Sequence, residues 1–219
     1  MVMATATEWQ DDDEFVADPD ELKMPESPEH RRVIDAIGVV ASLLLEPALV
    51  VYRDMNWYPP DGGNAVAPDL MVLAADATVV RSYKEPSNGP SPTVVVEVPS
   101  RSDGVSDFFK KSARYRTLGV DFFAVLTDPG TCSVLRFTPG TADVEDWTGR
   151  PIAELGGLTI DVAGDRIVVV TPDGHVIEHD ADIGRVAQEQ AAAAQEQAAA
   201  ALSRVAELEA VLRAAGIEP

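Results

Sequence analysis

The run Thr93–Val98, TVVVEV, constrains the fold more than any other stretch of the chain. It is short, rich in β-branched residues and apolar on both alternating sets, which predicts a strand inside a covered sheet rather than on a solvated face. It also carries a carboxylate. Successive strand residues point to opposite faces, so Glu97 shares a face with Val95 and Thr93, opposite Val94, Val96 and Val98. A carboxylate at that depth is costly unless it is paired or holds a cation.

The flanking segments supply the layers such a strand needs. Residues 27–48, SPEHRRVIDAIGVVASLLLEPA, predict a helix: Ser27 suits the N-cap, Pro28 the first turn, and Val33, Ile37, Val40 and Leu44 recur at helical spacing. ALVVYRDM and DLMVLA predict strands, separated by the Pro- and Gly-rich loop WYPPDGGNAVAP. VSDFFKKSARYRTLG predicts a helix ending at Gly119, a residue suited to the left-handed position after a helix. VDFFAVLT and CSVLRFT form a hairpin across DPGT, and LTIDV, RIVVV and HVIEH continue the β-structure. The expected fold is therefore α/β, a mixed sheet flanked by helices.

Three regions follow from composition. Residues 1–26 are an acidic segment with room for a short hairpin, EFV against ELKM. Residues 27–182 form the α/β domain. Residues 183–219 are a helical tail in which QEQAAAA occurs twice in tandem, a seven-residue period. With Ala191, Ala198, Val205 and Leu212 at a, the d positions are Ala187, Ala194, Ala201, Leu208 and Ala215. This predicts an alanine-rich coiled coil and a homo-oligomer, parallel or antiparallel. A solvated single helix is the other reading, because an alanine seam buries little area.

Asp69, at the start of DLMVLA, is a second acid at a strand end. Two carboxylates on neighbouring strands repel unless a proton or cation is shared, and a hard divalent ion with oxygen ligands resolves that conflict. On the following helix, Phe108, Tyr115 and Leu118 mark the apolar face. The 100° helical step puts Lys111 on that side and Lys110 on the far side, with Asp107 one turn before Lys111 and able to orient its ammonium. Two acids, a divalent metal and a lysine suit hydrolysis of a phosphodiester. On spacing alone, the plain alternative carries more weight: Asp69 caps a turn, and Glu97 and Lys111 form an ion pair with no chemistry.

These segments together, SPEHRRVIDAI, PDLMVL, TVVVEVPSRSD and DFFKKSARYRTLGVDFFAVLTDP, resemble the Uma2 (DUF820) family of the PD-(D/E)xK, restriction-endonuclease-like superfamily. The resemblance covers about Ser27 to Asp128, and its specificity lies in the ordered set. It implies metal ligands at Asp69 and Glu97, a third at the Val98 carbonyl, and magnesium or manganese as the ion. It implies a catalytic-type lysine at Lys111, where both family pattern and helical phase converge. The superfamily's usual lysine position, two residues after the acid, is Pro99 here. Ser100, Asp107 and Tyr115 match supporting positions, and Glu14 is the nearest match to an N-terminal acid, without the glycine that usually follows it. The implied function is a metal-dependent endonuclease, with DNA ahead of RNA as substrate. The rival readings are a catalytically inactive, self-associating binding or regulatory module, and a metal hydrolase of a smaller phosphoester.

Two features argue for restraint over partners. The net charge of −20 opposes general affinity for a polyanion, although much of the acid lies in the first thirty residues. The basic residues available near a groove are Arg81, Lys84, Arg101, Lys110 and Arg114. HVIEH, His175 to His179, matches an inverted zincin signature, which requires a helix. In a β-rich setting its histidines sit roughly 13 Å apart, too far to share one zinc. His30 reads as a surface or packing histidine. The single Cys132, the lack of a basic start with an apolar run, and the lack of a roughly 20-residue apolar span predict a cytoplasmic protein with no membrane segment.

Overall fold

The computed structural model describes residues 27–45, 47–77, 82–100, 105–128 and 130–214. In chain order the elements are α1 (Pro28–Leu45), β1 (Leu49–Arg53), β2 (Trp57–Tyr58), β3 (Leu70–Ala74), β4 (Tyr83–Lys84), β5 (Val94–Glu97), α2 (Val105–Thr117), β6 (Asp121–Leu126) and β7 (Ser133–Phe137). Then follow β8 (Val144–Asp146), β9 (Pro151–Ile152), a 3-10 turn at Ala153–Leu155, β10 (Leu158–Ala163), β11 (Arg166–Val170), β12 (Val176–Ile177) and α3 (Asp180–Ala214). The expected hairpin within residues 1–26 and Glu14 lie outside the described residues.

The central sheet has six strands in the order β1-β3-β5-β6-β7-β8. β5 and β6 run parallel and α2 joins them, while β1, β3, β7 and β8 pair antiparallel with their neighbours, so the sheet is mixed as expected. All four residues of β5 are buried. The cause is a layer on each side. On one face Val94, Val96 and Val98 join Val33, Ile37 and Val40 of α1. On the other, Val95 joins Tyr115 of α2, with Phe108 and Leu118 packed against that cluster. The alternation read from TVVVEV is thus the division of the core into two halves.

α1 begins as its sequence requires: the Ser27 hydroxyl accepts from the His30 amide at 3.1 Å, an N-cap bond. Its second side meets a smaller four-stranded sheet, β12-β11-β10-β9, through Ile152, Leu155, Leu158, Ile160, Ile167 and Val169. Arg32 stitches the two together, donating to the carbonyls of Ile167 at 2.7 Å and Glu178 at 2.8 Å. α2 ends where expected, with Gly119 at φ +76°. HVIEH falls on β12 and its approach rather than on a helix, so its two histidines lack the one-turn spacing a shared zinc needs. α3 opens at Asp180, and Ile183 and Val186 still belong to the core, with Val186 buried.

The aromatic packing beneath α2 is the part of the core most exposed to truncation. Phe122 is fully buried, with ring centroids 5.1 Å from Tyr115 and 4.8 Å from Phe137. Phe122→Ala is expected to lower unfolding free energy by about 3–5 kcal/mol, read from urea denaturation, because the cavity would lie between sheet and helix and neither can collapse into it.

Candidate functional site

The site grows from the end of β5. Glu97 is the last residue of that strand, hydrogen-bonded in the sheet between β3 and β6. β3 pairs antiparallel with β5 in the register Leu70 to Val96, and one step further along places Asp69 across from Glu97. The sheet itself therefore brings together two acids that lie far apart in sequence.

Both Glu97 oxygens are engaged. Oε1 accepts from the Tyr115 hydroxyl at 2.6 Å, and Oε2 accepts from Lys111 Nζ at 3.2 Å. Lys111 and Tyr115 are one turn apart on α2, so one helix face grips both edges of the carboxylate. The Glu97 side chain is 5% exposed and that of Lys111 is 44% exposed, so the ammonium spans from the buried acid to solvent. Asp69 Oδ2 accepts from the Val98 amide at 2.7 Å, and His30 Nε2 of α1 lies 3.6 Å from the same oxygen. Asp69 is thereby held by main chain on one side and faced by a buried histidine on the other.

The electrostatics follow from depth. Burial pushes the Glu97 carboxyl up to about 7; the Lys111 charge opposes that rise, the Asp69 charge adds to it, and the Tyr115 and Lys111 hydrogen bonds oppose it. Burial and the Glu97 charge raise the Tyr115 hydroxyl well above its ordinary range, so Tyr115 acts as a donor to Glu97 and stays protonated.

Of the residues expected from sequence, Asp69, Glu97, Lys111 and Tyr115 are brought together, and Val98 is part of the same strand end. Ser100 lies three residues past Glu97, half-buried. Asp107 accepts from Lys110 at 2.9 Å, with both side chains exposed on the outer face of α2. Phe109 is 60% exposed, which leaves Phe108, Lys111 and Tyr115 as the inward line of α2. The basic residues expected at a groove divide. Arg114 is held by Asp61, with one bond of 2.7 Å, and lies against Gly63, pinning the Pro- and Gly-rich loop to α2. Arg81 and Arg101 lie outside the described residues.

Two residues were not anticipated. His30, read as a surface or packing histidine, is buried, and its place beside Asp69 is what the sequence did not indicate. Its place in the first turn of α1, the helix that covers the sheet end, was the available signal. Trp57 stacks on Tyr115 at 6.4 Å with ring planes 1° apart, and its indole N–H donates to Glu85 Oε2 at 3.2 Å. No periodicity marks Trp57, which sits on a two-residue strand at the mouth of a loop.

The donors suit a hard divalent cation: two carboxylates at one sheet end, one of them destabilised by its neighbour's charge. Among the described residues, no three His, Cys, Asp or Glu side chains form a metal-holding group. Two carboxylates would need main-chain oxygen and water to complete the sphere, which suits magnesium, an ion that keeps several of its waters.

A family model described as "Putative restriction endonuclease", Uma2, matches residues 18–164. The chain belongs to the Uma2 family. Among solved structures it is similar to one titled a "putative nuclease belonging to DUF820" from Anabaena variabilis ATCC 29413, at 14% identity and TM-score 0.45, over 59% of this chain and 73% of that one. No curated protein matches the sequence. In this Uma2 chain no described helix is long and apolar enough to cross a membrane.

The raised Glu97 carboxyl carries a pH signature. Its ordinary value is 4.5, and between there and about 7 the folded chain holds a proton that the unfolded chain releases. The folded state is therefore penalised progressively as pH rises through that window, and the penalty is constant above it. Relative to Glu97→Gln, the metal-free wild type is expected to lose roughly 3 kcal/mol between pH 4.5 and pH 7.5, measured by urea unfolding across the range.

Proposed function

We propose that this Uma2 protein is a divalent-metal-dependent endonuclease that hydrolyses phosphodiester bonds, with DNA as substrate ahead of RNA. The observation that carries the reading is the buried Glu97 carboxylate, held by Lys111 and Tyr115 and set across the sheet from Asp69. A structural ion pair needs one acid and one base. It does not need a second acid whose charge raises the first. The family description supports nuclease chemistry in the same direction.

In this reading Asp69, Glu97 and the Val98 carbonyl hold magnesium or manganese. The bound ion supplies charge neutralisation for the phosphodiester and acidifies water. The rest falls to the chain. The Val98 amide orients Asp69 through Oδ2, leaving Oδ1 for a ligand. Tyr115 fixes the rotamer of Glu97 from the core side, and Trp57 fixes Tyr115 in turn. Lys111 is half-exposed, so its ammonium can contact a non-bridging phosphoryl oxygen as negative charge builds there in the transition state. His30, buried and 3.6 Å from Asp69 Oδ2, acts on the acid's position.

The test is nicking of supercoiled plasmid with magnesium or manganese, alongside calorimetry of metal binding. Asp69→Ala is expected to remove both cleavage and the metal signal. Lys111→Ala is expected to keep metal binding while lowering cleavage on the order of 100-fold or more. Cleavage that survives both changes would place the activity elsewhere. No cleavage and no metal signal in the wild type would favour the inactive binding module. Tyr115→Phe, which keeps the ring stack and removes only the hydroxyl, is expected to weaken metal affinity by about 10–100-fold, as loss of an outer-shell partner does.

A further inference from the structure

We infer that the C-terminal part of α3 is the interface of a parallel, two-stranded coiled coil with a second copy of this chain. After Val186 the helix leaves the domain. From Gln188 to Arg213 every described side chain is exposed except Glu209, which is half-buried. That length of helix extends roughly 40 Å. Along its last third, Leu202, Val205, Leu208, Val211 and Leu212 are all exposed, at 36–72%. Five large apolar side chains on three turns of a free helix form a contiguous patch of the kind that marks an association surface.

The occupant follows from the repeat. Val205, Leu208 and Leu212 occupy a, d and a of the same heptad frame as the tandem QEQAAAA units, so one seam runs down the whole projecting helix. An alanine seam draws two helices close, whereas Val and Leu layers hold them further apart. Parallel, in-register pairing sets alanine layers against alanine and Val and Leu layers against their like. Antiparallel pairing would set the narrow half of one helix against the wide half of the other.

Charge gives the same direction. Arg204 is at g and Glu209 at the following e, five residues on. In a parallel pair g faces e′ of the next heptad, so Arg204 of each copy meets Glu209 of the other, twice by symmetry. Arg204 now pairs with Glu207 at 3.2 Å and Glu209 with Arg213 at 3.3 Å, and such solvent-accessible pairs exchange at little cost. β-branched Val205 at a followed by Leu208 at d also favours two strands. The consequence is that both α/β domains sit at one end of the coiled coil. The inference rests on the tail alone and stands or falls apart from the nuclease reading.

The experiment uses the full chain with Cys132→Ser, adding Val205→Cys at an a position or Leu208→Cys at the following d, one at a time. Under mild oxidation each single variant is expected to give a disulfide-linked dimer. Linkage only when the two variants are mixed would mean antiparallel helices and would overturn the inference. Light scattering of the Cys132→Ser chain is expected to give twice the chain mass, and Leu208→Asp to return it to the chain mass with unchanged far-ultraviolet circular dichroism. A single-chain mass at the highest soluble concentration, or a mass above two chains, overturns it as well.

Discussion

Glu97 is a charge that the fold cannot ignore. Placing a carboxylate in a sheet covered on both faces costs several kcal/mol unless donors meet it. Much of the local architecture is explained by the groups that meet it. Tyr115 must reach one oxygen and Lys111 the other, so α2 must lie with that face against β5. Asp69 must be tied to the Val98 amide, which fixes how the start of β3 meets the end of β5. Trp57 then closes over Tyr115 and brings the short β2–β4 pair against the same cluster. Removing one partner would leave a buried charge exposed to its neighbour's repulsion, so these contacts are coupled rather than additive.

The two cores divide this labour. The half containing α1 and the smaller sheet is almost wholly aliphatic, with Arg32 satisfying carbonyls at its margin. The half under α2 is aromatic and carries the polar atoms, Tyr115 above all. Aromatic residues suit that side because a tyrosine offers a large apolar ring and a donor at its tip. The parallel β5–α2–β6 unit delivers that tip, since its crossover helix returns over the strand it leaves. The acid is therefore presented at the carboxyl end of a strand beside a helix that can hold it.

Much of this was legible in the chain because it depends on short-range periodicity. The strand alternation of TVVVEV put Glu97 on the face of Val95, which is the side that α2 covers, and helical phase picked Lys111 over Lys110, in keeping with the Lys111–Glu97 hydrogen bond and the exposed Lys110–Asp107 pair. Asp107 shows where periodicity stops, because i+3 and i+4 partners are both within reach of a helical side chain. Lys110 on the solvated face competes for it, and periodicity alone does not rank the two. His30 and Trp57 escaped for a different reason. Their roles depend on how α1 and the loop after β1 fold back over the sheet end, and that is set by tertiary contacts rather than by any local pattern. A lone histidine in a helix's first turn carries no spacing to read.

The overall charge of −20 bears on the site only through what the site can neutralise locally. A phosphodiester approaching Asp69 and Glu97 meets two acids, one of which burial already disfavours as an anion. Arg114, further along α2, is committed to Asp61 and the loop it pins. Lys111 alone cannot offset both acids and also serve the phosphate. Under the proposed reading a divalent cation resolves both conflicts at once: it satisfies the paired acids and supplies the positive charge that the surface lacks. Cation binding and polyanion binding are then thermodynamically linked, each raising the affinity for the other by the same factor. Under that reading the linkage would confine nucleic-acid affinity in this acidic protein to one point on the surface, the end of β5.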